Sequence, residues 1–153
     1  MVIQRWQSVF LLIAAITMAL FCFIPSVSFT TADGVYTMNS CGITAEDGSC
    51  AQCSTVYFIV NCLIVVLTLI TIFLYKDLKL QMKMTFISLV LSLVSCFTFF
   101  ILAKMAATDL AATATEYFNV RLMLPIISII CLRFAHRGMA RDRKKLESYD
   151  RIR

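Results

Sequence analysis

Val56-Tyr57-Phe58-Ile59-Val60-Asn61-Cys62-Leu63-Ile64-Val65-Val66-Leu67-Thr68-Leu69-Ile70-Thr71-Ile72-Phe73-Leu74-Tyr75 carries no charge from end to end, and Lys76-Asp77-Leu78-Lys79 closes it. An apolar run of this length matches the hydrocarbon thickness of a bilayer and exceeds what one turn-bounded core element needs. Outward from it, three more such runs follow. The first covers about residues 6–27, where every residue from Val9 to Pro25 is apolar except Thr17. The third covers about 84–103 and is closed by Lys104. The fourth covers about 117–135, with Arg121 and Arg133 near its ends and Pro125 inside it. Both arginines lie close enough to the ends to snorkel toward headgroups.

Composition agrees. The 153-residue chain is 60% hydrophobic and 15% charged, whereas a soluble domain is nearer half apolar and a quarter charged. One compact domain of this length has a fixed surface to cover, so the surplus must face something other than water. The expected fold is an all-α membrane protein, a four-transmembrane-helix bundle filling residues 1–153 as a single domain. Two hairpins of helices with short connections make that bundle.

A secretory signal peptide is the competing reading of the first run, since Arg5 precedes it and Thr30-Thr31-Ala32 resembles a cleavage site. The run is longer than a typical signal core, which favours a retained helix. A lipoprotein signal fails because bulky Phe21 precedes Cys22.

Basic residues set the orientation. Arg5, the turn from Lys76 to Lys83 and the segment from Arg133 to Arg153 fall on one side. Of the 14 lysines and arginines only Lys104 and Arg121 fall on the other. Short loops rich in Lys and Arg stay in the cytoplasm. The expectation is a multi-pass bacterial inner-membrane protein with both termini cytoplasmic, a periplasmic loop at 28–55 and a basic cytoplasmic tail at 136–153. Within that loop, Asp33-Gly34 between Val27-Ser28-Phe29-Thr30 and Val35-Tyr36-Thr37-Met38 reads as a β-hairpin, a small periplasmic cap. Residues 104–116, rich in Ala and Thr, read as a plain connection.

Inside the runs, weakly polar residues recur at helical spacing: Ala15 with Ala19, Asn61 with Thr68 and Thr71, and Thr85, Ser88, Ser92 and Ser95. In lipid, small residues and side-chain hydrogen bonds hold helices together, so these read as packing faces. A polar path for a substrate or ion is the sharper alternative. It lacks its usual marker, an Asp, Glu or His in mid-span.

Of seven cysteines, Cys22, Cys62, Cys96 and Cys131 sit one in each apolar run and read as small apolar residues. Cys41, Cys50 and Cys53 lie in the polar loop. Cys50-Ala51-Gln52-Cys53 is a C-x-x-C just before a helix, whose N-terminus favours a thiolate. Four-helix membrane oxidoreductases that pass electrons from periplasmic thiols to quinone carry a similar pair. They also need a second outer pair, and residues 104–116 hold no cysteine. A structural disulfide of Cys41 with Cys50 or Cys53 is the expectation in an oxidising compartment, with a redox pair as the alternative. Zinc through three cysteines needs a fourth ligand, and the lone histidine, His136, falls on the opposite side. No metal site, cofactor or catalytic residue set is expected.

The tail offers Arg137, Arg141, Lys144, Lys145, Arg151 and Arg153 for docking or for contact with lipid headgroups. Asp142, Glu147 and Asp150 among them suit a specific protein surface better than lipid alone. Membrane lipids and a protein partner, or a second copy of the chain, are the expected partners. Nucleic acid is not, because no aromatic interleaving accompanies the charge.

Three segments resemble one family. Met1-Val2-Ile3-Gln4-Arg5-Trp6-Gln7-Ser8 is similar to its M-I-Q-R-I-Q start, and Leu74-Tyr75-Lys76 to Leu80-Gln81-Met82-Lys83 resembles its F-K-x-R-x-L-Q-M-R turn. Ala135-His136-Arg137 through Asp142, Leu146, Ser148 and Asp150-Arg151-Ile152-Arg153 resembles its A-N-R-A-I-x-x-D-x-x-L-x-x-S-x-D-R-L-R close. The family consists of small inner-membrane proteins of Bacteroidetes described only as a domain of unknown function. The resemblance implies four spans and an inner membrane, and no activity. The reading is a non-enzymatic accessory or scaffold subunit; a thiol–disulfide oxidoreductase using Cys50 and Cys53 is the alternative, and a small transporter or channel the third.

Overall fold

A computed structural model describes residues 2–32, 34–74, 77–117 and 119–150. Four helices dominate: α1 (Val2–Phe23), α2 (Thr55–Phe73), α3 (Leu78–Asp109) and α4 (Asn119–Asp150). Each is long and apolar enough to cross a membrane. α1 packs on α2 and α4, and α3 packs on the same two, so the helices stand in a ring with α1 and α3 across the diagonal.

Their outward faces are apolar. Leu12, Ile16 and Leu20 on α1, Ile59, Leu63 and Val66 on α2, and Val90, Val94 and Ile101 on α3 are all exposed. Contiguous apolar surface on this scale is not stable against water. The inward faces invert the soluble pattern. Asn61, Thr68 and Thr71 of α2, Gln81, Thr85, Ser88, Ser92 and Ser95 of α3, and Ser128 of α4 are buried.

Hydrogen bonds explain how polar groups occupy that interior. Thr68, Thr71 and Thr85 donate to the carbonyls of Ile64, Leu67 and Gln81, one turn back on their own helices. Others cross between helices. Ser95 Oγ donates to Asn61 Oδ1 at 2.7 Å, and Tyr57 Oη donates to the Ser95 carbonyl at 3.0 Å. Asn61 Nδ2 returns to the Tyr57 carbonyl at 2.9 Å, closing a knot between α2 and α3. Gln81 Nε2 donates to the Thr71 carbonyl at 3.1 Å, and Ser128 Oγ of α4 to the Ala14 carbonyl of α1 at 3.1 Å. The weakly polar stripes are thus interhelical contacts, as their spacing suggests.

The cap differs from the expected hairpin. β1 (Val27–Thr31) and β2 (Gly34–Asn39) do pair as a hairpin, with Val27 opposite Met38, but Gly34 stands in β2 opposite Thr31 and not in the turn; Asp33 lies outside the described residues. β3 (Gly42–Ala45), β4 (Cys50–Cys53) and β5 (Ala114–Tyr117) extend the pair into a five-stranded antiparallel sheet ordered β4-β3-β2-β1-β5. The stretch read as a plain connection therefore supplies an edge strand, pairing Thr30 with Ala114 and Val27 with Tyr117. Alternate residues point one row of side chains at the helices. Val27, Phe29, Met38 and Ile43 form a single cluster with Phe21, Tyr57, Phe99, Ala103 and Ala106. Phe21 and Phe99 meet edge to face at 5.1 Å across the bundle diagonal.

Element ends follow local rules. α1 stops at Phe23, earlier than the apolar run, because Pro25 ends its backbone ladder and Val27 opens β1. α3 ends in a Schellman turn, with Ala111 N donating to the Thr108 carbonyl and Ala112 N to that of Ala107. Ala111 takes the left-handed position there, at φ 46°. Pro125 has no N–H to continue the α4 ladder, and the Arg121 guanidinium one turn earlier donates to the Pro25 carbonyl at 2.8 Å. α4 then continues to Asp150, so the basic tail prolongs the fourth helix.

Ser88 and Ser92 provide an internal control for the polar knot, since their buried hydroxyls have no hydrogen-bond partner among the described residues. Ser95→Ala should cost about 1–2 kcal/mol because it strips a partner from Asn61. Ser88→Ala should be close to neutral, because it removes a hydroxyl without breaking a bond and improves helix propensity. Reversible unfolding of the detergent-solubilised protein distinguishes the two; equal losses would mean that the knot contributes nothing special.

Candidate functional site

Chemistry-bearing residues collect at the two ends of the bundle. At the sheet end, the β2–β3 turn is fixed by Asn39, whose Oδ1 accepts the backbone amides of Cys41 at 2.9 Å and Gly42 at 3.1 Å. Gly42 opens β3 at φ +142°, opposite Cys53, and a Cβ there would lie 2.1 Å from the Gln52 carbonyl oxygen. Only glycine allows so close an approach of β3 and β4. The Ser54 amide then donates to the Cys41 carbonyl at 2.9 Å, which brings all three outer cysteines to one corner of the sheet.

A regular strand would place Cys50 and Cys53 on opposite faces, because they are three residues apart and strands alternate. Pairing slips between Ile43 and Thr44: Ile43 faces Gln52, yet Thr44 faces Cys50. The irregularity puts Ala51 in excess and reverses the parity. Cys50 and Cys53 consequently share a face, with their thiols in hydrogen-bonding contact. That contact, followed by the neighbouring Cys50 charge, pushes the Cys53 thiol above its ordinary value. Burial raises the Cys41 thiol, and the proximity of Cys62 and Cys50 adds to it. Neither shift produces the stabilised thiolate expected from a position before a helix. β4, which carries Cys50 and Cys53, is an edge strand that ends just before the Ser54 N-cap of α2.

The reading of Cys22 and Cys62 as unrelated apolar fillers missed a contact. Their thiols meet between α1 and α2, with Cys41 next in line toward Cys50 and Cys53. The available signal was position, since the two fall near the same end of consecutive antiparallel helices. Beside Cys53 a crevice opens between the sheet edge and α3, lined by Met38, Ile43, Leu102, Met105 and Asp109.

At the opposite end, the three segments quoted above for their family likeness converge. Gln7 of α1 is buried and donates through Nε2 to Asp142 Oδ2 of α4. Gly138 lets the two helices close over Gln7, since a Cβ there would stand 3.2 Å from Gln7 Cγ. Asp142 therefore serves the bundle itself, which removes it from the acids available to a partner. The His136 ring lies 5.9 Å from that of Phe86 on α3. Arg137, Arg141, Lys144 and Lys145 are exposed along α4; Arg151 and Arg153 lie outside the described residues.

A bundle of four membrane-length helices, closed at one end by a β-sheet and ringed with cations at the other, defines a small helical protein of membrane type. The chain belongs to the family described as a domain of unknown function, DUF4293, which matches residues 3–152. No curated protein and no solved structure matches it.

All three outer cysteines are free thiols in the structure, with Cys50 a neighbour of both Cys41 and Cys53. Peptide mapping of the unreduced protein should find one intrachain disulfide among them, and free alkylation of all three without reductant would exclude that bond. After reduction, the alkylation rate of Cys53 should rise with pH along a curve displaced upward from that of an ordinary cysteine, because its thiolate forms later. A curve displaced downward would contradict the environment described here.

Proposed function

We propose that this protein is a multi-pass inner-membrane protein with both termini in the cytoplasm, acting as a non-enzymatic accessory or scaffold subunit of a membrane assembly. The supporting observation is the form of α4. It leaves the bundle as a continuous helix to Asp150, anchored at its base by the Gln7–Asp142 bond. Arg137, Arg141 and Lys144 follow one another at helical spacing and are exposed. A helix already in place loses little conformational freedom on docking, and its single-signed face suits an acidic protein surface.

The orientation rests on the distribution of basic residues; among the described ones, only Lys104 and Arg121 fall toward the sheet end. An impermeant thiol reagent on intact cells should reach a cysteine introduced by Asp33→Cys and leave one from Lys145→Cys unlabelled. The reverse pattern would invert the topology.

A second reading is supported by the Cys50–Cys53 contact beside an open crevice. In thiol–disulfide exchange, a thiolate of an external dithiol attacks one sulfur of a Cys50–Cys53 disulfide and releases the other as a thiolate. The second external thiol then displaces the mixed disulfide. The external dithiol leaves oxidised by two electrons, and both cysteines remain as thiols. The raised Cys53 thiol makes it a poor leaving group in this exchange, which favours the structural role.

Deleting Glu147–Arg153 should leave insertion and protein amount unchanged and abolish copurification of the partner. If the truncated protein retains the same partners at the same yield, the scaffold role of this tail has to be given up.

A further inference from the structure

Lys79 and Lys83 stand one turn apart on the first turns of α3, both exposed. Like charges at this spacing repel and weaken a helix by a few tenths of a kcal/mol. The α3 N-terminus sharpens the problem: its first turn holds no acid, and Asp77 makes no side-chain cap bond. The positive end of the helix dipole is therefore added to the two lysines. Across from them α4 contributes His136 and Arg143, and together with Met82 and Phe86 these residues line one open groove of about 450 Å3. Among the described residues no carboxylate lines it.

The other half of the groove is apolar. Phe86 is half exposed on its floor, and Val90, one turn further along α3, is exposed as well. A soluble phosphate compound has no use for this extension. A phospholipid does, because its phosphate sits at the depth of the basic residues and its chains run along the helix faces below.

We propose that the groove between α3 and α4 binds the phosphate of an acidic phospholipid, held by Lys79, Lys83, Arg143 and His136, with an acyl chain against Phe86 and Val90. This site differs from general attraction of the tail to a charged surface, because it needs two helices and one defined set of cations. It uses the bilayer reading of the helices but not the docking reading of the tail, and its test requires no protein partner.

Native mass spectrometry of the full chain in detergent, with phosphatidylglycerol or zwitterionic phosphatidylethanolamine added, measures the binding directly. One phosphatidylglycerol per chain should be retained in preference to phosphatidylethanolamine. Lys79→Gln with Lys83→Gln should weaken it by more than about tenfold, taking roughly 1 kcal/mol per basic residue. Arg141→Gln with Lys144→Gln removes the same charge outside the groove and should change it by less than about threefold. All four residues are exposed, so helix content by circular dichroism should stay unchanged. Equal losses in the two double variants would overturn the site in favour of diffuse attraction. Displacement of the lipid by glycerol 3-phosphate as effectively as by short-chain phosphatidylglycerol would overturn the lipid and leave a soluble phosphate as ligand.

Discussion

Ser95 and Asn61 meet at 2.7 Å with both side chains buried, and the arrangement of the whole bundle turns on such contacts. An apolar exterior leaves polar groups only one place to go. A buried hydroxyl or amide without a partner costs about 1–3 kcal/mol, so inward polar groups other than Ser88 and Ser92 meet each other or a backbone carbonyl. α2 and α3 satisfy this with the Tyr57–Asn61–Ser95 knot at one level and the Gln81–Thr71 bond near their turn. α1 and α4 do so through Ser128 and Ala14, then Gln7 and Asp142. These two pairs, α2–α3 and α1–α4, are thus each fixed at two heights, which sets register as well as proximity.

Register at the helix ends determines where the sheet can rest. The cluster of Phe21, Tyr57 and Phe99 lies immediately beyond the Asn61–Ser95 level, and Tyr57 belongs to both. Its ring supports the row of Val27, Met38 and Ile43, while its hydroxyl is tied into the interhelical knot. Loosening the knot would tilt the platform that the sheet packs on. The cysteine corner depends on the same chain of support, since β3 and β4 reach the bundle through Ile43 and the Gly42 approach.

Long apolar runs and their charged ends made the helices legible, because length and charge are local properties of the sequence. The β1–β2 hairpin was legible for the same reason, through a turn dipeptide between alternating segments. β5 was not, since Ala114-Thr115-Glu116-Tyr117 has weak strand character and every one of its residues is exposed. Its strand state comes from pairing with β1, far away in sequence. The C-x-x-C motif was visible, yet its geometry was not: one slipped residue decides whether the thiols meet, and no local pattern encodes the slip. Asp142 looked like a group spared for a partner until the fold placed Gln7 against it.

The two ends differ in what remains to be satisfied. At the sheet end, edges β4 and β5 are short and polar, which limits uncontrolled strand pairing, and the cysteines there can settle their chemistry among themselves. At the basic end, cations from α3 and α4 converge, while Asp142, one of the nearby acids, has been drawn into the bundle. Fixing α4 against α1 with Gln7–Asp142 holds α4 where His136 and Arg143 face Lys79 and Lys83 across the groove. A basic surface beside exposed apolar helix faces attracts anions that carry apolar chains. The contact that fixes α4 in the bundle is thus also the contact on which the geometry of the basic groove depends.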